Sequence, residues 1–100
     1  MKRIETEEGN IYLTKIEISP ISIRIEAIRN PKDRKLPWTT NMLEEICYRD
    51  GTTIPIETSA TGGLGNGIFI DEFVDAYYFG EVLEPEEITC LKVCGKNVDI

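Results

Sequence analysis

The sequence predicts an all-β domain, an antiparallel β-sandwich of about seven or eight short strands. Apolar and polar residues alternate with period two in run after run, and the apolar positions are rich in isoleucine and valine. Clusters of Gly, Pro, Asn and Asp separate these runs at short intervals. The alternation also changes phase once, at Ser19-Pro20: isoleucines stand at 16 and 18, then at 21, 23 and 25. One hundred residues make a single domain, 1–100, with length enough for one hydrophobic core.

Taken in order, strands are expected near 10–18, 21–29, 44–49, 53–58, 67–72, 73–82, 88–94 and 96–100. Between the first two, a proline cannot donate a ladder hydrogen bond, and a one-residue slip sends every later side chain to the other face. A kink at Ser19-Pro20 that carries the chain from one sheet to the other, or around a sandwich corner, keeps Ile16, Ile18, Ile21, Ile23 and Ile25 all inside. The segment 39–48 reads two ways. Met42, Leu43 and Ile46 share one face of a helix capped at Thr40 or Asn41, whereas the Asp50-Gly51 turn that follows favours a strand from about Glu44. Asp50-Gly51 suits a type I′ hairpin, and a second hairpin turn is expected between Cys94 and Val98. The run PEEI at 85–88 supports a single helical turn, with proline at its first position and glutamates at its positive end.

Charge is unevenly spread. The net charge is −7, and between residues 50 and 91 every charged side chain is acidic. Such a surface repels a phosphate backbone, which excludes nucleic acid as a partner. The one basic run, RNPKDRK at 29–35, contains Asp33, lacks aromatics and reads as a solvated loop. No window approaches the ~18 consecutive apolar residues of a membrane span, so the segment itself is not expected to insert in a bilayer.

The chain contains no histidine, which removes the usual general base and the Ser-His and Cys-His nucleophile pairs. An enzyme is not expected, and no catalytic residue is assigned. TGGLGNG at 61–67 lacks the Gly-Lys-Ser/Thr ending of a phosphate loop and reads as a flexible hairpin loop. Asp71, Glu72 and Asp75 do not follow calcium-loop spacing, because alternation puts Asp71 and Asp75 on one face and Glu72 on the other. No metal or other cofactor is expected. The three cysteines, Cys47, Cys90 and Cys94, are an odd number, so one stays unpaired in a monomer. On one strand Cys90 and Cys94 would stand ~13 Å apart, beyond disulfide reach, and all three read as small hydrophobes in or near the core. The binding candidates are aromatic: Trp38, Tyr77 and Tyr78. Alternation puts Tyr77 and Phe79 on one face and Tyr78 on the other, and exposure of Trp38 with Tyr78 would mark a protein-contact surface.

The order of several motifs resembles a known family. IEISPISIRI at 16–25, the DGT turn at 50–52, FGEVLEPEEI at 79–88 and the terminal GKNVDI at 95–100 are similar to the C-terminal immunoglobulin-like domain of membrane-anchored, anti-sigma-factor-like regulators of Gram-positive bacteria. The resemblance covers most of the chain except 30–41. It implies an immunoglobulin-like sandwich on the extracytoplasmic side of the membrane within a longer protein, and a strand around 42–48. It brings no catalytic residues. The expected function is a non-catalytic interaction or sensor domain with a protein partner. The alternatives are a small-ligand or carbohydrate-binding sandwich using Trp38 and the tyrosines, and a structural spacer.

Overall fold

The computed structural model describes residues 2–36, 41–58, 60–66 and 70–100, with the backbone alone at 64–66. Among the described residues, nine strands build two antiparallel sheets that pack into a sandwich-like globule. They are β1 (Lys2–Thr6), β2 (Gly9–Ile18), β3 (Ser22–Arg29), β4 (Leu43–Tyr48), β5 (Thr53–Pro55), β6 (Thr61–Asn66), β7 (Asp71–Tyr78), β8 (Ile88–Val93) and β9 (Lys96–Asp99). The larger sheet runs β1-β2-β3-β7-β6 and the smaller β5-β4-β8-β9. Among the described residues no helix is long and apolar enough to cross a membrane. Pro31–Asp33 and Pro85–Glu87 form single 3-10 turns, the second where PEEI predicts one.

Alternation produces the core. Ile23, Ile25 and Ala27 on β3, Phe73 and Tyr77 on β7, Ile46 on β4 and Leu91 and Val93 on β8 all point inward and are buried. Each fully buried aliphatic side chain contributes roughly 1.5–3 kcal/mol relative to exposure, so these few positions dominate the stability of the pairing.

Ser19-Pro20 is a hairpin turn and not a crossing between sheets. β2 and β3 are neighbours in the larger sheet, with Ile18 opposite Ile23 and Ile16 opposite Ile25. Residues opposite one another in an antiparallel pair share a face, so an even-numbered inward set on β2 must meet an odd-numbered one on β3. That requirement is the source of the phase change. Pro20 takes the second position of the turn, and the Ser19 side chain accepts hydrogen bonds from the backbone of Ile21 and Ser22 (3.3 and 3.0 Å). Ile21 therefore sits at the tip and is 58% exposed, correcting its expected burial.

The segment 43–48 is strand, and its helix-like spacing has a cause. Leu43 pairs with Val93 and Glu45 with Lys92, leaving Glu44 as an extra, bulged residue. The bulge puts Leu43 and Ile46, three apart, on the same inward face, as a helix would. β2 does the same at Thr14, which separates inward Leu13 from inward-leaning Ile16. The β4–β5 loop also departs from expectation. Asp50 keeps negative φ while Gly51 takes +91°, so this is a longer loop and not a type I′ turn. The Asp50 carboxylate accepts from the Thr52 amide and hydroxyl (2.9 and 2.6 Å) and closes it. The Cys94-Gly95 turn does have the I′ signature, with φ of 50° and 83°.

TGGLGNG is not a loop over its described length. Residues 61–66 pair with β7 from Thr61 opposite Ala76 to Asn66 opposite Asp71. A Cβ on Gly62 would lie 1.8 Å from the Val74 carbonyl oxygen, so the glycine permits a backbone approach that no other residue could make.

The basic run at 29–35 is likewise not simply solvated. Arg29 continues the inward series Ile23, Ile25, Ala27 and is fully buried. Its Nε donates to Asp71 Oδ2 (3.0 Å), its Nη1 donates to the carbonyls of Glu8 (2.7 Å) and Leu36 (3.0 Å), and its guanidinium lies 5.3 Å from the Phe73 ring centroid. Arg34, half exposed, adds two further bonds to Asp71. The counter-charge and hydrogen bonds offset the cost of taking this guanidinium out of water. The result is a latch that pins loop 30–36 over Gly9, whose missing Cβ would stand 2.1 Å from the Asp33 carbonyl oxygen.

Candidate docking groove

One end of the sandwich is closed by the segment between β7 and β8. The Phe79 amide donates to the Ile21 carbonyl (2.9 Å) and the Leu83 amide to that of Pro20 (2.6 Å), drawing this segment against the β2–β3 turn. Leu83 is buried and plugs the end of the core. Its neighbour Val82 then has nowhere to go but outward, and it is 76% exposed. On the other side the β4–β5 hairpin is held by Ile56, whose amide donates to the Glu44 carbonyl (2.9 Å). It is held too by Arg49, which donates to the carbonyls of Glu87 (2.8 Å) and Glu86 (3.0 Å).

Between these two segments lies a hollow of about 220 Å³. Tyr48, Ile54, Pro55, Phe79 and Val82 give it an apolar lining, and Glu57 and Glu81 are its charged residues. Ile54, on edge strand β5, is 48% exposed. Burial, and secondarily the charge of Glu84, holds the Tyr48 phenol above its ordinary pKa. It therefore stays protonated and available as a donor under a negative rim. A larger, shallower depression of about 420 Å³ follows the open seam between β2 and β9. It carries Lys2, Lys15 and Asp99 together and so has no charge signature of one sign.

The aromatic candidates fall elsewhere. Tyr77 is fully buried; its hydroxyl donates to Asp75 Oδ2 (3.0 Å) and accepts from the Leu43 amide (3.0 Å). It joins the two sheets from inside and is closed to a ligand. Tyr78, 60% exposed, lies on the outer face of the larger sheet, next to the groove and not within it. Trp38 lies outside the described residues. Of the aromatic run, only Phe79 enters the groove. Tyr48, Ile54 and Val82 were not singled out by sequence, although Val82 is legible as an apolar residue in an acidic, turn-forming stretch.

The acidic trio does not converge. Asp71 is occupied by Arg29 and Arg34, Asp75 accepts from the Met42 amide (2.9 Å) and Tyr77, and Glu72 faces solvent. Among the described residues no group of three or more His, Cys, Asp or Glu is placed to hold a metal ion. Of the cysteines, Cys94 packs against the core, while Cys47 and Cys90 are half-buried on the outer face of the smaller sheet. No protein-family model, no curated protein and no solved structure matches the chain.

Proposed function

We propose that this chain is a non-catalytic protein-interaction domain of immunoglobulin-like fold. Its docking site is the end groove, which takes a peptide segment carrying an apolar side chain flanked by Lys or Arg. The observation that carries this reading is an exposed apolar lining beneath a rim of one charge: Ile54 and Val82 are open to solvent, and the groove's charged residues are Glu57 and Glu81. Apolar contact provides affinity, and complementary charge selects and orients the partner.

The immunoglobulin-like assignment is supported by strand order. With β1 set aside, β2-β3-β7-β6 follows the A-B-E-D order of that fold, and β4-β8-β9 follows C-F-G with β5 added beside C. Placement on the extracytoplasmic side, as part of a membrane-anchored regulator, rests on the motif resemblance at 16–25, 50–52, 79–88 and 95–100. A small-ligand or carbohydrate role is less well supported. At about 220 Å³ the end hollow falls below the roughly 300–1,000 Å³ of pockets that enclose such molecules, and the seam of about 420 Å³ reaches that size only as a shallow, open depression.

Selection of displayed random dodecapeptides against the immobilised domain tests the proposal. Enriched sequences are expected to combine a bulky apolar residue with Lys or Arg and to weaken as salt rises. Enrichment of acidic sequences, or binding indifferent to Val82→Asp, would contradict it.

A further inference from the structure

We infer that Cys47 and Cys90 are a disulfide-forming pair, which closes across the two central strands of the smaller sheet when the folded domain meets a small-molecule disulfide. The two residues are direct partners in the β4–β8 register, Cys47 opposite Cys90. Residues directly opposite in an antiparallel pair have Cα atoms about 4.5–5.5 Å apart. Disulfides span Cα separations of about 4.4–6.8 Å, so the register brings both side chains to one place without moving the backbone far. Their inward neighbours Ile46 and Leu91 are also paired and are fully buried, which puts both thiols together on the outer face.

Two features separate this pair from the third cysteine. Cys47 and Cys90 face one another across the ladder on the outer face, and the proximity of Cys47, more than any other cause, raises the Cys90 thiol to about 11. Cys94 sits beyond β8 in the Cys94-Gly95 turn and packs against the core from the other side, where burial pushes its thiol up to about 12. Position, not acidity, excludes Cys94: it lies on the opposite face of the sheet from the pair.

The chemistry balances with one equivalent of oxidant. A thiolate of the pair attacks one sulfur of the small disulfide, forming a mixed disulfide and releasing one small thiol. The facing thiolate then attacks the protein sulfur of that mixed disulfide and expels the second small thiol. The protein loses two electrons and two protons, and the oxidant is reduced to two thiols.

The experiment treats the folded chain with oxidised glutathione, quenches by alkylation, and counts thiols by mass and peptide mapping. Free thiols should fall from three to one, with peptides containing Cys47 and Cys90 joined within one chain and no disulfide between chains. Cys94→Ser should oxidise as the parent does, and Cys90→Ser should instead retain a glutathione adduct. Oxidation should raise Tm by roughly 5 °C or more, reversed on reduction, since the bond restricts a long loop of the unfolded chain. Persistence of three thiols, a link through Cys94, or a link formed only in denaturant would overturn the inference.

Discussion

Asp71 is sealed from solvent and paired with two arginines, the buried Arg29 and the half-exposed Arg34. Replacing it by Asn should leave Arg29 buried without its counter-charge and cost ~3–5 kcal/mol in urea unfolding. Arg34→Ala removes a half-exposed partner and should cost less, about 1 kcal/mol. The pH dependence follows from the same contacts. The Arg34 hydrogen bonds, more than any other cause, hold the Asp71 carboxyl below its usual pKa when folded. Its stabilisation is therefore present above the unfolded carboxyl value of about 3.9 and disappears as pH falls through the depressed folded value. Asp71→Asn should flatten the acid limb of the stability profile below about pH 5. Tyr77→Phe probes a second buried bond: it orphans the Leu43 amide, and a loss of about 1–3 kcal/mol is expected. At this scale the sequence was partly legible. Parity put Tyr77 and Tyr78 on opposite faces, and the same parity, carried two residues past Ala27, would have put Arg29 inside. A charged residue at an inward position is uninterpretable until its partner is known, and Asp71 lies 42 residues away.

At the scale of elements, β3 gives the cleanest test of facing. Ile23→Ala should destabilise by ~2–5 kcal/mol as an aliphatic core truncation. Arg24→Ala, on the outward face, should stay within about 0.5 kcal/mol. Equal losses in denaturant titrations would mean the face assignment is wrong. Gly9→Ala should destabilise through the loop above it, because its Cβ cannot coexist with the Asp33 carbonyl oxygen. Strands with clean alternation, β3 and β7, could be read from sequence because burial on one face imposes the period, whereas β8 steps three residues from Ile88 to Leu91 past the bulged Thr89. β4 and β2 were blurred by bulges at Glu44 and Thr14, each of which inserts a three-residue step into a two-residue rhythm. β6 was missed because glycines carry no side-chain pattern; its pairing is dictated by β7. β1 also escaped, since Ile4 is its only buried residue.

For the whole molecule, the groove depends on long-range assembly. Tyr48, Ile54, Phe79 and Val82 come from segments that meet only once the sheets have packed, so no local motif could announce them. The central claim is that this end of the sandwich docks a basic, apolar segment. It is tested most directly by amide chemical-shift mapping of the 15N-labelled domain with a synthetic peptide of Leu, Tyr and Lys taken from the selected pool. The account predicts saturable shifts confined to Tyr48, Ile54 and 79–83. It also predicts that Val82→Asp weakens binding about tenfold, on the order of 1.4 kcal/mol, and that Glu57→Lys with Glu81→Lys weakens it further. Shifts centred on another surface, or affinity unchanged by those substitutions in a domain that remains folded, would contradict it.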